Sequence, residues 1–135
     1  MQDRPWDRDK DYDTLVKWWT DWEFGTVPKE CLPPLGIVVS EDGKDICAGG
    51  LYVGEGTQFG FMEWIVTDKT ADPRNVHKCL KLCIDGIMKL AKDRGMKLVV
   101  VDPRKTRTTM MCDWHIQPKP GTDAFLANAM IKVIV

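Results

Sequence analysis

Residues 71–95, ADPRNVHKCLKLCIDGIMKLAKDRG, decide the fold class. Asp72 can cap the free amides of a first helical turn, and Pro73 suits the first helical position because the donor it lacks has no partner there. Val76, Leu80, Cys83, Ile84, Ile87 and Ala91 then recur at helical spacing, and Arg94 with Gly95 forms a stop. The spacing predicts an amphipathic helix over about 73–94. Its start carries a second reading: first-turn amides beside Arg74, His77 and Lys78 also suit a phosphate brought in by a ligand.

Strand signals flank this helix. Downstream, MKLVVVD (96–102) is a short, almost continuously apolar run, expected as the partner of a helix packed across a sheet. Upstream, LGIVVS (35–40) and ICAGGLYVG (46–54) read as two strands, with Asp42 and Gly43 supplying the hairpin turn. Gly49 and Gly50 point to a bulge or a close approach. GFMEWIV (60–66) alternates, with Phe61, Glu63 and Ile65 on one face and Met62, Trp64 and Val66 on the other. Glu63 stands against that apolar alternation, where a carboxylate can act as a base, accept a structural hydrogen bond or face a polar cleft. Near the start, DYDTLVKWWTDWEF (11–24) reads as a helix behind Asp11 or Asp13, with Tyr12, Leu15, Val16, Trp19 and Trp22 or Glu23 as its stripe and Trp18 off it, either widening the buried face or lining a groove. The proline-rich FGTVPKECLPP (24–34) reads as a connection. The expected architecture is α/β: a small mixed, largely antiparallel sheet with packed helices.

With 135 residues and 44% apolar composition, the chain fits one domain spanning 1–135. Its 19 basic and 20 acidic residues leave a net charge of -1, so no whole-molecule field favours nucleic acid. Residues 1–13 are too charged for a signal peptide, and no apolar run approaches the roughly 20 residues that cross a bilayer, so the expected place is the cytoplasm with no membrane association. Five cysteines form an odd set without a disulfide framework. Cys79 and Cys83 lie one turn apart among apolar neighbours and read as core, with neither His77 nor His115 completing a metal-ligand pattern. The sequence leaves the oligomeric state open; Trp6, Trp18 or the apolar tail can cover a partner.

Taken together, the early helix, the hairpin, the strand GFMEWIV and the helix from Ala71 to Gly95 before MKLVVV resemble the Gcn5-related N-acetyltransferase family over residues 1–101. The resemblance implies an acetyltransferase-like fold with an atypical C-terminal segment, and transfer of an acetyl group from acetyl-coenzyme A to a small-molecule or peptide amine. It implies Glu63 as the catalytic base, and Val66, Asp72, Arg74 and Asn75 as the residues that bind the cofactor. The alternative is a non-catalytic α/β binding or structural domain.

The tail carries a different resemblance. Asp102, Pro103 and Arg104 after an apolar strand, then Thr106, Arg107 and Thr108, then Pro120, Gly121, Thr122 and Asp123 before an apolar ending, resemble an internal piece of a molybdopterin-dependent oxidoreductase of the formate dehydrogenase type. That resemblance spans residues 92–135 and implies turns that help hold the dinucleotide portions of a pterin cofactor. The two resemblances overlap at 92–101, which implies a rearranged or chimeric chain with its junction there.

Overall fold

Asp42 and Gly43 adopt positive φ angles of 51° and 79°, the conformation a two-residue hairpin turn requires, and they join β2 (Leu35–Glu41) to β3 (Lys44–Val53). The computed structural model describes residues 1–56, 58–106 and 109–134, and the chain divides into two compact units, Met1–Met96 and Lys97–Val135.

In the first unit the hairpin is flanked by β1 (Gln2–Pro5) and β4 (Gly60–Thr67), giving an antiparallel sheet of order β1-β2-β3-β4. In sequence the strand β1 is marked only by its charge; its backbone pairs with β2 from Gln2 opposite Ser40 to Pro5 opposite Ile37. The apolar residues of β2 alternate. Val38 packs with Leu15, Trp18 and Trp19 of α1 (Arg8–Asp21), while Ile37 and Val39 pack with Cys79, Cys83 and Ile87 of α2 (Pro73–Lys92). The two helices therefore cover opposite faces of the sheet, and each fully buried apolar side chain contributes about 1.5–3 kcal/mol.

The helix α2 follows the spacing that predicts it. Gly95 at φ 71° and the bonds Gly95 N to Lys92 O and Met96 N to Ala91 O close its end, and Met96 is buried. The first helix differs from expectation at two points. Its cap is Asp7, which accepts from Asp9 N and Lys10 N, because Asp11 is drawn instead to Arg4 of β1. Trp18 is buried and widens the core-facing side, as one of its two readings has it, whereas Trp22, read as part of the stripe, is exposed.

Strict alternation along β4 also fails. Ala48 pairs with Val66 but Gly50 pairs with Glu63, so β4 carries one extra residue, and Trp64 adopts φ 57° at that bulge. Met62 consequently packs with the α2-side cluster, while Trp64 and Val66 pack with the α1-side cluster. Gly50 is forced by its neighbours: a Cβ there would lie 2.5 Å from both Pro33 Cγ and Trp6 Cη2.

The second unit contains β5 (Val99–Val101) parallel to β6 (Trp114–Ile116), followed by α3 (Asp123–Ile134). The expectation that MKLVVV joins the sheet covered by the long helix is corrected: β5 pairs with β6 in a separate two-stranded sheet. The chain is thus a mixed α/β protein with a four-stranded antiparallel sheet, a parallel strand pair and three α-helices among the described residues.

Candidate functional site

The start of α2 is closed on itself. Asp72 Oδ1 accepts from Arg74 N at 2.9 Å and from Arg74 Nε at 3.2 Å, and its Oδ2 accepts from Arg74 Nη2 at 2.8 Å. Asn75 N and Val76 N both donate to Asp72 O at 2.9 Å, and Pro73 has no donor. A carboxylate thus already occupies the position where the helix terminus favours negative charge. The Arg74 guanidinium holds the Asp72 carboxyl below the usual carboxylate range, and the pair is solvent-facing.

Just upstream, Asp68 is buried and fixes the turn from β4 into this helix. Its Oδ1 accepts from Thr70 N at 2.8 Å and Thr70 Oγ1 at 2.7 Å, and Lys44 Nζ lies 2.7 Å from its Oδ2. Burial opposes its charge, but hydrogen bonds from Lys44 and Thr70 outweigh that and hold its pKa at about 2. Beside it, a depression of about 250 Å³ is lined by Trp22, Lys69, Pro73, Val76 and His77 among others. Lys69 Nζ sits 5.2 Å from the Trp22 ring centre and donates to Asp21 O at 2.6 Å.

Glu63 belongs to a different depression, a groove of about 690 Å³ lined by Trp19, Glu23, Phe24, Gly25, Met62, Glu63, Trp64 and Ile65. The bulge creates it. Glu63 pairs with Gly50, whose register position opens toward Trp6, so the bulge carries Glu63 to the α1 side of the sheet. Trp19 and Trp64 meet edge to face, their centroids 6.0 Å apart. Glu23 adopts φ 60°, so the groove is bordered by two non-glycine residues in the left-handed region, Glu23 and Trp64.

The residues expected to form one site are therefore divided. Glu63 is exposed in the groove, Val66 is buried in the α1-side core, and Asp72, Arg74 and Asn75 line neither depression. Sequence reading missed Glu23 and Phe24. The signal that could have found them is the abrupt end of α1 before a glycine, where a chain reversal leaves side chains at the helix terminus.

In the second unit, the turns that follow the two parallel strands are clamped together. Asp102 N donates to Ile116 O at 3.1 Å, His115 Nε2 donates to Asp102 O at 2.8 Å, and Gln117 Nε2 donates to Pro103 O at 3.3 Å. Asp102 Oδ1 accepts from Arg104 N at 2.7 Å, which closes a tight turn and leaves the Arg104 side chain exposed, its Nε 3.8 Å from Asp102 Oδ1. Thr106 N donates to Thr109 Oγ1 at 2.9 Å; Arg107 and Thr108 of the same motif lie outside the described residues. Gly121 at φ 81° turns the chain into α3, and Thr122 O accepts from Phe125 N and Leu126 N. Among the described residues no group of three or more His, Cys, Asp or Glu could hold a metal ion. No described helix is long and apolar enough to cross a membrane.

No family model matches the chain, and no solved structure matches it. Curated relatives match about one third of it. The assimilatory nitrate reductase catalytic subunit of Bacillus subtilis is 49% identical over 45 residues, 33% of this chain and 6% of that one. A formate dehydrogenase subunit alpha of Methanocaldococcus jannaschii is 51% identical over 45 residues, 33% of this chain and 7% of that one. The acetylene hydratase of Syntrophotalea acetylenica is 46% identical over 48 residues, 36% of this chain and 7% of that one. The chain spans about 6–7% of the length of these relatives. The formate dehydrogenase resemblance holds over such a segment. The expectations of acetyl transfer and of acetyl-coenzyme A as cosubstrate are corrected, because these relatives are not acetyltransferases. The physical reason lies at the start of α2, where the first-turn amides and Arg74 are engaged by Asp72. The acetyltransferase resemblance over 1–101 likewise has no counterpart among these relatives or among solved structures.

Proposed function

We propose that the matched run is residues 92–135, and that Lys97–Val135 is a cofactor-side segment of the molybdopterin-dependent oxidoreductase type, joined to a non-catalytic α/β unit. The division between Met96 and Lys97 falls inside the overlap at 92–101, which supports a junction there. The observation that carries the reading is the clamp between the turns after β5 and β6. Parallel strands end at the same edge, and in α/β sheets ligands bind beyond the carboxyl ends of the strands. The residues fit the dinucleotide portion of such a cofactor. The exposed Arg104 guanidinium suits a phosphate, and the turn into α3 leads to a helix N-terminus. The described residues offer no cluster for the metal, whose redox chemistry would come with the bound group. This chain's part is to bind and orient: Asp102 shapes the turn, and His115 and Gln117 hold it to β6.

Calorimetric titration of the whole chain with guanosine and adenosine diphosphates tests this. Saturable binding weakened about ten- to hundredfold by Arg104→Ala and unchanged by Arg74→Ala is expected, since a charge-assisted hydrogen bond is worth about 1.5–3 kcal/mol. Folded protein that shows no saturable binding sinks the reading.

The groove favours a second binding role for the first unit. Glu23 and Glu63 with Trp19, Trp64 and Phe24, and no basic residue among the described residues of the lining, suit a cationic amine held by carboxylates against aromatic faces. Tryptophan fluorescence titrated with tetramethylammonium should saturate, and Glu63→Gln should weaken the binding; a linear, non-saturating response would remove it.

A further inference from the structure

The groove at the β4 bulge lies wholly within the first unit, and part of its wall is a strand edge. Met62, Glu63, Trp64 and Ile65 are consecutive in β4, the outer strand of its sheet, and the reversal after α1 contributes Glu23, Phe24 and Gly25. The ladder between β3 and β4 fixes which backbone groups reach the open edge. Gly54 N donates to Phe59 O at 2.9 Å, so Gly54 with Phe59, Tyr52 with Phe61 and Gly50 with Glu63 are the hydrogen-bonded pairs. Met62, opposite Leu51, therefore turns its N–H and C=O away from β3. Beyond the bulge, Asp68 N donates to Ile46 O at 2.8 Å, which turns Thr67 outward in the same way, and there Trp22 Nε1 donates to Thr67 O at 2.9 Å. The protein thus covers one end of this edge with its own side chain. At the groove end, Met62 has no such cover among the described residues, and an uncovered edge is a template for another extended chain.

We infer that the groove takes an extended peptide segment, added as a strand to the free edge of β4 at Met62, with a lysine or arginine side chain held by Glu23 and Glu63. The inference rests on the cation reading of the groove given above and extends it, because a small amine leaves the Met62 backbone unpaired. Charge chooses among extended chains. Two carboxylates line the groove with no basic residue among its described lining, and β4 itself carries Glu63 and no lysine or arginine. A second copy pairing edge to edge would bring no cation to them. Phe61 adds a further preference: it stands on the same face as Glu63, with no bulge between them, and is 63% exposed, so an apolar residue two positions from the basic one would cover it.

The test titrates the whole chain, followed by tryptophan fluorescence, with a short end-capped peptide that has a central lysine, a phenylalanine two residues after it and threonines elsewhere. Butylammonium, which carries the cationic tip alone, is titrated beside it. The peptide should bind at least about tenfold more tightly than butylammonium, and norleucine in place of its lysine should cost about tenfold. N-methylation of the threonine between lysine and phenylalanine removes the donor that faces Met62 O and should also cost about tenfold, whereas N-methylation of the lysine amide, which faces away from β4, should cost less than about twofold. Hydrogen exchange at the Met62 amide should slow in the peptide complex and stay unchanged with butylammonium. These changes lie in the peptide, so the protein's fold is the same in every titration. A peptide no tighter than butylammonium, equal losses from the two methylations, or an unchanged Met62 amide overturns the docking, while saturable butylammonium binding leaves the cation reading standing. If neither probe saturates, both fall. A concentration-dependent dimer in sedimentation that protects the Met62 amide without peptide also overturns the inference, because the edge would then belong to a second copy.

Discussion

Ile37, Val38 and Val39 in β2 and Val99, Val100 and Val101 in β5 are nearly the same tripeptide, yet they meet opposite surroundings. The first three are 4%, 2% and 0% exposed, whereas Val99 and Val101 are 38% and 47% exposed. The strand β2 has a neighbour on each edge and a helix over each face, while β5 has one neighbour strand among the described residues. Apolar composition makes a strand, but only layers around it make a core.

The sharpest way to break this comparison is to truncate one residue in each unit. Ile87→Ala removes a fully buried side chain facing Cys83 and Ile37, and should cost about 2–5 kcal/mol in urea denaturation. Val101→Ala should change stability by less than about 0.5 kcal/mol. A large loss at Val101 would mean that the second unit has a core of its own.

Close approach offers a second test. Gly50→Ala places a methyl group 2.5 Å from Trp6 and Pro33 and should cost about 1–3 kcal/mol by the same measurement. Gly121→Ala meets no atom within 4 Å, so its cost should come from the φ of 81° alone and be smaller, about 1 kcal/mol.

The acid response should also belong to the first unit. The Asp68 pKa of about 2 lies below its ordinary 3.8, so the stability it contributes is present above about pH 4 and is lost as pH falls through about 2. Asp68→Asn should lower stability at pH 7 by about 1–2 kcal/mol and reduce the slope between pH 4 and 2 relative to the wild type. Urea midpoints across pH that keep the wild-type slope in the variant would assign the acid loss to other carboxylates.

The smallest expected effect is at the start of α2. Asp72→Ala removes the cap and should cost about 1 kcal/mol, read as a lower urea midpoint. No loss would mean that solvent replaces the cap, and that the first-turn amides are free to take another anion.

How much was legible in the sequence differs between particular residues. Asp72, Pro73 and Gly95 mark the limits of α2, and Asp42 with Gly43 marks the hairpin turn, because each acts on backbone groups within four residues of itself. Asp11 was legible as a cap candidate and acts otherwise, because β1 brings Arg4 to 2.9 Å from both of its carboxylate oxygens. Glu63 was legible as a carboxylate among apolar neighbours, but its companions Glu23 and Trp19 were not, since the β4 bulge and the reversal after α1 bring them together.

By itself the sequence determined the periods, the turns and the helix limits, together with the tail motifs carried by Asp102, Pro103, Arg104 and Gly121, because these depend on local backbone preference and on short spacings. Only the tertiary structure decided which apolar runs are buried, which face Glu63 takes and which sheet β5 joins. Burial, register parity and strand partners depend on segments distant along the chain, and a one-residue bulge is enough to exchange one face for the other.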